Sequence, residues 1–445
     1  MVVSNPTKPI ARKHPMAWID QLFQIMTDKK ASDLHMTSEH TPMIRESGDM
    51  IALPGVPKLT KEQMLQILME ICPERNRKQF EDTWDADFAY ALEGCGRFRA
   101  NYFMDRNGPG AVFRRIPDKI LTAEQLGLSA GIMSLCHYKK GLVLVTGPTG
   151  SGKSTTLAAM IDHINATRRE HIITIEDPVE FVHPAKQCLV NQREVHAHTK
   201  SFAAALRAAL REDPDIVLVG EMRDLETTRI AIETAETGHL VFGTLHTSTA
   251  ASTVDRIINQ FPAEEQEQIR LMLAGSLRGV VAQNLLKKKG GGRCAAQEIM
   301  VVTPGVAALI REGKTFQLPS QMQVGARYGM ILLNDALERL VKEDKVVPME
   351  AYDRAIDKED MGKKLKGLGF DVEQALAAAK EAGSLATEAA KKPAAPPPAA
   401  APAATQVVPS QGSFVLKPRE QNAQPQVEQQ LPGQTPGSQW RRPNG

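Results

Sequence analysis

A chain of 445 residues is too long for one small domain and has room for two or three with sizeable cores, at roughly 100–200 residues each. Lys and Arg number 54 against 52 Asp and Glu, for a net charge of +2, which excludes a chain-wide electrostatic pull toward nucleic acid or an anionic membrane surface. Cys72, Cys95, Cys136, Cys188 and Cys294 form no C-x-x-C pair, which argues against a structural zinc site and for reduced thiols in a cytoplasmic protein. Lys8, Arg12 and Lys13 are followed by no apolar segment, and no apolar run reaches bilayer-spanning length, so membrane association is expected to go through partners.

In chain order, residues 1–15 hold three prolines and several charges and read as a flexible arm. The spacing Trp18, Ile19, Leu22, Phe23, Ile25, Met26 predicts a helix packing one face on a core. Strand-like pieces follow at Leu34–Met36, Met43–Arg45, Phe98–Phe103 and Ala111–Arg115, so residues 16–117 read as a small α+β domain. After a connector at 118–135 the texture becomes α/β. Short apolar runs at His171–Ile175, Ile216–Val219, Leu240–Thr244 and Gln297–Val301 alternate with helical patterns at Phe202–Leu210 and Leu225–Glu236, the pattern of a parallel sheet flanked by helices. Residues 305–382 are helical by spacing and close a second domain spanning 136–382. Beyond residue 383, 11 of the 28 prolines lie in an Ala/Gln/Ser background with too little apolar surface to offset chain entropy, so 383–445 is expected to be a disordered tail.

Gly147, Pro148, Thr149, Gly150, Ser151, Gly152, Lys153 and Ser154 satisfy G-x-x-x-x-G-K-[ST] at each position, between a predicted strand at Leu142–Val145 and a helix from Thr155 to Ile164. Glycines let successive N–H groups converge on phosphate oxygens at a helix start. The Lys153 ammonium reaches β- and γ-phosphates, and the Ser154 hydroxyl suits Mg²⁺. The motif predicts ATP binding.

Hydrolysis also needs a group that positions water. Glu221 follows the apolar run Ile216–Gly220 and Glu176 follows Ile173–Ile175, so both are expected at the carboxyl ends of buried strands, with Glu221 as base or as a Mg²⁺ ligand through water. Asp177 before Pro178 reads equally as a turn former. His239 and His246 flank the run Leu240–Leu245 and are candidates to sense the γ-phosphate; no third metal ligand lies near them in sequence.

Thr146–Thr155, Ile175–Phe181, Val219–Asp224 and Thr237–Thr247 resemble the Walker A, Asp box, Walker B and His box of the secretion ATPases, and Ala31–His35 resembles their N-terminal signature. Over about residues 18–370 the chain is most similar to the PilT family of type IV pilus retraction ATPases. That resemblance implies a PAS-like N-terminal domain, a RecA-like ATPase domain and a homohexameric ring with ATP between neighbours. Its partners would be the inner-membrane pilus platform protein and related pilus ATPases. It also implies arginines crossing to the neighbour's nucleotide, matched by Arg97, Arg99 and Arg114, although alternating Arg97, Phe98, Arg99 is also what a half-exposed strand looks like.

Assembly and type II secretion members carry a paired C-x-x-C zinc insertion where this chain has only Cys294 in Asn284–Glu298, which favours retraction. The retraction motif Ala-Ile-Arg-Asn-Leu is here Gly305–Leu309, keeping its last leucine alone, so a PilU-like accessory role stays an alternative, as does an assembly ATPase. From another class, a nucleic-acid translocase is disfavoured by the charge balance and by only 5% aromatic residues. A non-hydrolysing regulatory ring is disfavoured by the two glutamates.

Overall fold

The computed structural model describes residues 17–377 except 47, 117 and 118; the expected arm at 1–15 and tail at 383–445 lie outside the described residues. Two sheets organise the chain. The first is wholly antiparallel, in the order β3-β2-β1-β6-β5-β4, from β1 (Asp33–Thr37), β2 (Met43–Glu46), β3 (Asp49–Ala52), β4 (Asp85–Leu92), β5 (Gly96–Asp105) and β6 (Gly108–Ile116). Helix α1 (Trp18–Asp28) buries Ile19, Leu22, Phe23 and Met26, the face its spacing predicts. Phe23 stacks on Phe98 at 4.3 Å and meets Phe113 edge-on at 5.0 Å, tying helix to sheet. Helices α2 (Lys61–Ile71) and α3 (Glu74–Thr83) complete this half; Thr60 Oγ1 accepts from the Gln63 N–H at the start of α2.

The second sheet has seven strands in the order β13-β12-β7-β11-β10-β8-β9. These are β7 (Gly141–Thr146), β8 (His171–Glu176), β9 (Leu189–Glu194), β10 (Ile216–Val219), β11 (Leu240–Leu245), β12 (Leu277–Lys287) and β13 (Arg293–Val301). All neighbours are parallel except β12 and β13, an antiparallel edge hairpin. Strands β7, β10 and β11 are buried end to end, as expected when helices cover both faces. The connector is not featureless, since α4 (Ala123–Leu126) and α5 (Ala130–Leu135) lie in it, each started by a hydroxyl cap from Thr122 or Ser129.

Around this sheet lie α6 (Lys153–Thr167), α7 (Phe202–Ala209), α8 (Leu225–Thr237), α9 (Ala250–Ile258), α10 (Gln266–Ser276), α11 (Pro304–Arg311) and α12 (Leu318–Gln323). Helices α13 (Leu333–Lys342), α14 (Pro348–Arg354) and α15 (Lys358–Gly367) bury a separate core with Leu286 and Ala296 of the hairpin. Glu298 on β13 is buried, and its two carboxylate oxygens accept the N–H of Ala250 at 2.7 Å and of Leu333 at 3.2 Å, the first residues of α9 and α13. Burial raises its carboxyl above the usual glutamate range, opposed by those two N–H bonds.

Candidate functional site

Parallel pairing decides which residues meet. Strands β7, β11, β10 and β8 are consecutive neighbours running in one direction, so the residues leaving their carboxyl ends share one rim of the sheet. Those residues are Gly147 after β7, His246 after β11, Glu221 after β10 and Glu176 at the end of β8.

The glycine loop is shaped by conformations other residues resist. Gly147, Gly150 and Gly152 have φ of +144°, +77° and +88°, and Gly152 sits immediately before α6. A Cβ at Gly147 would lie 2.3 Å from the Gln283 carbonyl oxygen and 2.6 Å from Ser151 Oγ. Lys153 folds back so that Nζ donates to the carbonyls of Gly147 at 2.8 Å and Pro148 at 3.2 Å. Burial lowers its pKa below the usual lysine range, and the nearby Glu221 and Glu180 charges oppose this. Pro148, Thr149 and Gly150 are exposed on the rim, whereas Ser154 and Thr155 begin α6 partly buried. Ser151 Oγ is buried without a protein partner. An exposed glycine turn, an ammonium group and an orphaned hydroxyl at a helix start suit a phosphate chain.

Glu221 is held by two cationic or polar donors. Its Oε1 accepts from Arg223 Nε and from His246 Nε2, the latter at 2.8 Å; because a carboxylate can only accept, His246 Nε2 carries a proton. Burial raises the Glu221 pKa, but the Arg223 and His246 bonds outweigh it and hold the carboxyl below the usual range, so it is ionised at neutral pH. The turn bearing it passes close to its neighbours. A Cβ at Gly220 would be 3.1 Å from the Ile175 carbonyl, and one at Gly243 would be 2.4 Å from Met222 Sδ. Asp224 then caps α8, accepting from the Thr227 N–H at 2.7 Å.

Glu176 has a different environment. Burial raises its carboxyl above the usual range, opposed by bonds from Thr174 Oγ1 at 2.6 Å and Gln192 Nε2 at 3.3 Å to the same oxygen. It lines a small cavity of about 30 Å³ with Ser154, His183, Gly220 and Thr244. Asp177 joins Pro178 through a cis peptide bond.

His183 is buried, its Nδ1 has no protein partner, and burial pushes it down to about 4, with Lys186 adding to the shift and Asp162 opposing it. A histidine unfolds to a pKa near 6.5, so the unfolded chain takes up the proton first as pH falls. Its contribution is complete above that value and is lost toward pH 4. Chemical denaturation of the wild type is therefore expected to lose about 2 kcal/mol more between pH 7 and pH 5 than a His183→Gln variant. Equal losses in the two proteins would refute this.

Two sets of expected site residues lie away from this rim within the chain. His239 precedes β11 and is at the amino end of the strand whose carboxyl end carries His246, roughly 23 Å away at about 3.3 Å per residue. Its Nδ1 faces the Thr234 carbonyl at 3.1 Å and its own carbonyl accepts from the Gly141 N–H, so within this chain it closes the opposite end of the sheet. The arginines are likewise engaged in this chain: Arg97 pairs with Glu194 at 3.3 Å, Arg99 with Asp87 at 3.4 Å and Arg114 with Asp33 at 2.9 Å. Glu194 ends β9, four strands from β7, roughly 19 Å at 4.8 Å per strand, so Arg97 stands far from its own glycine loop.

Sequence reasoning missed Gln283, Arg223, Gln192 and His183. Gln283 carried a signal, the adjacent amides Gln283 and Asn284 between the apolar runs Val280–Ala282 and Leu285–Leu286, but no strand was assigned there.

Residues 16–364 match the family described as "Type II/IV secretion system protein". The chain is similar to the type IV pilus retraction ATPase PilT of Pseudomonas aeruginosa, with 51% identity over 337 residues, 76% of this chain and 98% of that protein. It is 50% identical over 322 residues to a twitching motility protein of Neisseria gonorrhoeae, covering 72% of this chain and 86% of that one. Among solved structures, that of the pilus retraction motor PilT with bound ADP superposes with a TM-score of 0.72 at 46% identity, covering 76% and 97% of the two chains.

Proposed function

This chain belongs to the type II/IV secretion system protein family, and we propose that it works there as an ATP-hydrolysing motor that retracts type IV pili and so powers twitching. The observation that carries the reading is the meeting, at the carboxyl ends of four adjacent strands, of a glycine loop bearing Lys153 with Glu221, Glu176 and His246. In this reading the loop from Gly147 to Thr155 holds the triphosphate, Lys153 exchanging its two carbonyl partners for β- and γ-phosphate oxygens. Glu221, ionised at neutral pH, orients and deprotonates the attacking water, and His246 tracks its state through their shared hydrogen bond. Glu176 supports that water from the neighbouring strand.

Magnesium would draw on Ser154 Oγ, phosphate oxygens and waters, Glu221 acting through one of them. Mg²⁺ usually keeps several waters and takes one or two protein ligands with substrate phosphates rather than a protein cage. Bound there, it would neutralise charge developing on the transferred phosphoryl group.

We read the first sheet as a PAS-like domain, the second as a RecA-like domain, and the working form as a homohexamer with ATP between neighbours. The side chains of Arg99 and its partner Asp87 are 47% and 52% exposed, and exposed ion pairs are weak, so Arg99 is the arginine best able to leave its partner for an adjoining copy's nucleotide, whereas Arg114 pairs with the buried Asp33. Among the described residues no helix is long and apolar enough to cross a membrane; the motor is read as docking on the inner-membrane pilus platform protein. Retraction rather than assembly is supported by the short turn, residues 288–292, joining β12 and β13 where assembly relatives carry a zinc insertion. A deletion strain is expected to be hyperpiliated and unable to twitch; bald cells would mean extension, and normally twitching cells a dispensable accessory role.

A further inference from the structure

Gln283 touches the glycine loop at three places. Its backbone carbonyl crowds Gly147, its side-chain Nε2 donates to the Ser151 carbonyl at 2.7 Å, and its Oε1 accepts from Thr156 Oγ1 at 2.9 Å on the first turn of α6. The residue is 1% exposed, and because the Ser151 carbonyl can only accept, the nitrogen end of the amide faces it, leaving Oε1 for Thr156 and for Gln297 Nε2 on the paired strand at 3.3 Å. The strand places it there by register: Ala282 pairs with Thr146, the last residue of β7, so the next residue of β12 lies beside the first residue of the loop.

The consequence follows from peptide planarity. In a trans peptide the carbonyl of one residue and the N–H of the next point in opposite directions within one plane. Holding the Ser151 carbonyl inward therefore turns the Gly152 N–H outward. Gly152 is the residue before α6, where N–H groups lack helical partners and face an anion.

We propose that Gln283 is a positioning residue for the nucleotide phosphates, its amide aiming the Gly152 N–H at them. The proposal rests on the reading of residues 147–155 as the phosphate site. Without the amide the Ser151 peptide can rotate, and the anion loses a pre-set donor.

The test measures ADP binding to the full-length protein by calorimetry. Gln283→Met, similar in shape but without polar atoms, is expected to raise the ADP Kd about tenfold, the weight of one net hydrogen bond. Gln283→Glu gives a sharper readout. Protonated, the carboxyl can still donate to the Ser151 carbonyl; ionised, it cannot. The ratio of variant to wild-type Kd is therefore expected to stay near unity at low pH and rise to about tenfold as pH passes through the carboxyl's pKa. If Gln283→Met does not fold, this titration decides alone.

A flat ratio, or a wild-type Kd in both variants with only a lowered melting temperature, would overturn the proposal and leave Gln283 as packing. Lys153→Ala separates the two levels of inference. If that variant loses ADP while the Gln283 variants keep it, only the positioning role falls; if it binds ADP like wild type, the phosphate-site reading falls first.

Discussion

Replacing Glu221 with Gln is expected to reduce ATP turnover by about 10²–10⁴-fold, the range for removing a positioned general base, while ATP still binds. The substitution keeps the shape and an oxygen for Arg223 and His246, the two groups that hold the carboxylate in place. It removes the ability to take a proton from water. Since those donors keep the Glu221 carboxyl below its usual range, the base is ionised above that lowered pKa and lost as pH falls through it. The acid limb of kcat is therefore expected below the usual glutamate pKa in the wild type and absent in the variant. Single-turnover phosphate release and nucleotide binding, measured together, check both parts. Wild-type turnover in Glu221→Gln would remove Glu221 from the role of base.

Gly147→Ala is expected to raise the ADP Kd by at least about a hundredfold, equivalent to about 2.7 kcal/mol, while the far-ultraviolet circular dichroism stays that of the wild type. One methyl does this in two ways. It imposes a φ of +144° on a residue with a Cβ, and it would lie 2.3 Å from the Gln283 carbonyl, a backbone atom that cannot swing aside. Strain of this kind costs about 1–3 kcal/mol, and overpacking costs a similar amount. The protein can relieve both only by moving the loop, which spoils the convergence of its N–H groups. Binding at wild-type strength would mean that the loop accepts nucleotide in another shape.

The glycine loop was legible because its pattern is local: turn residues, lysine and hydroxyl are neighbours in sequence, and a run such as Ile216–Val219 can be little other than a buried strand. The helix after the loop runs Lys153–Thr167 rather than starting at Thr155, because Gly152 is itself the residue before the first turn. Elements with mixed surfaces were not legible. Helix α3 buries Phe80 alone, β3 is exposed throughout, and β9 carries Asn191, Gln192 and Arg193 as an edge strand, so none shows a strong apolar period. The different placement of the two histidines has a similar origin. Two histidines flanking one strand look equivalent in sequence, but in a parallel sheet only the carboxyl end of the strand reaches the loops, so His246 joins Glu221 and His239 does not.

Glu298 gives the fold a mechanical property. One side chain anchors the start of the helix that follows the His246 turn and the start of the first helix in the C-terminal group, each helix presenting its positive end to a different oxygen. Neither helix can withdraw without leaving a buried carboxyl oxygen bare, so β13 ties the two helix starts to one side chain.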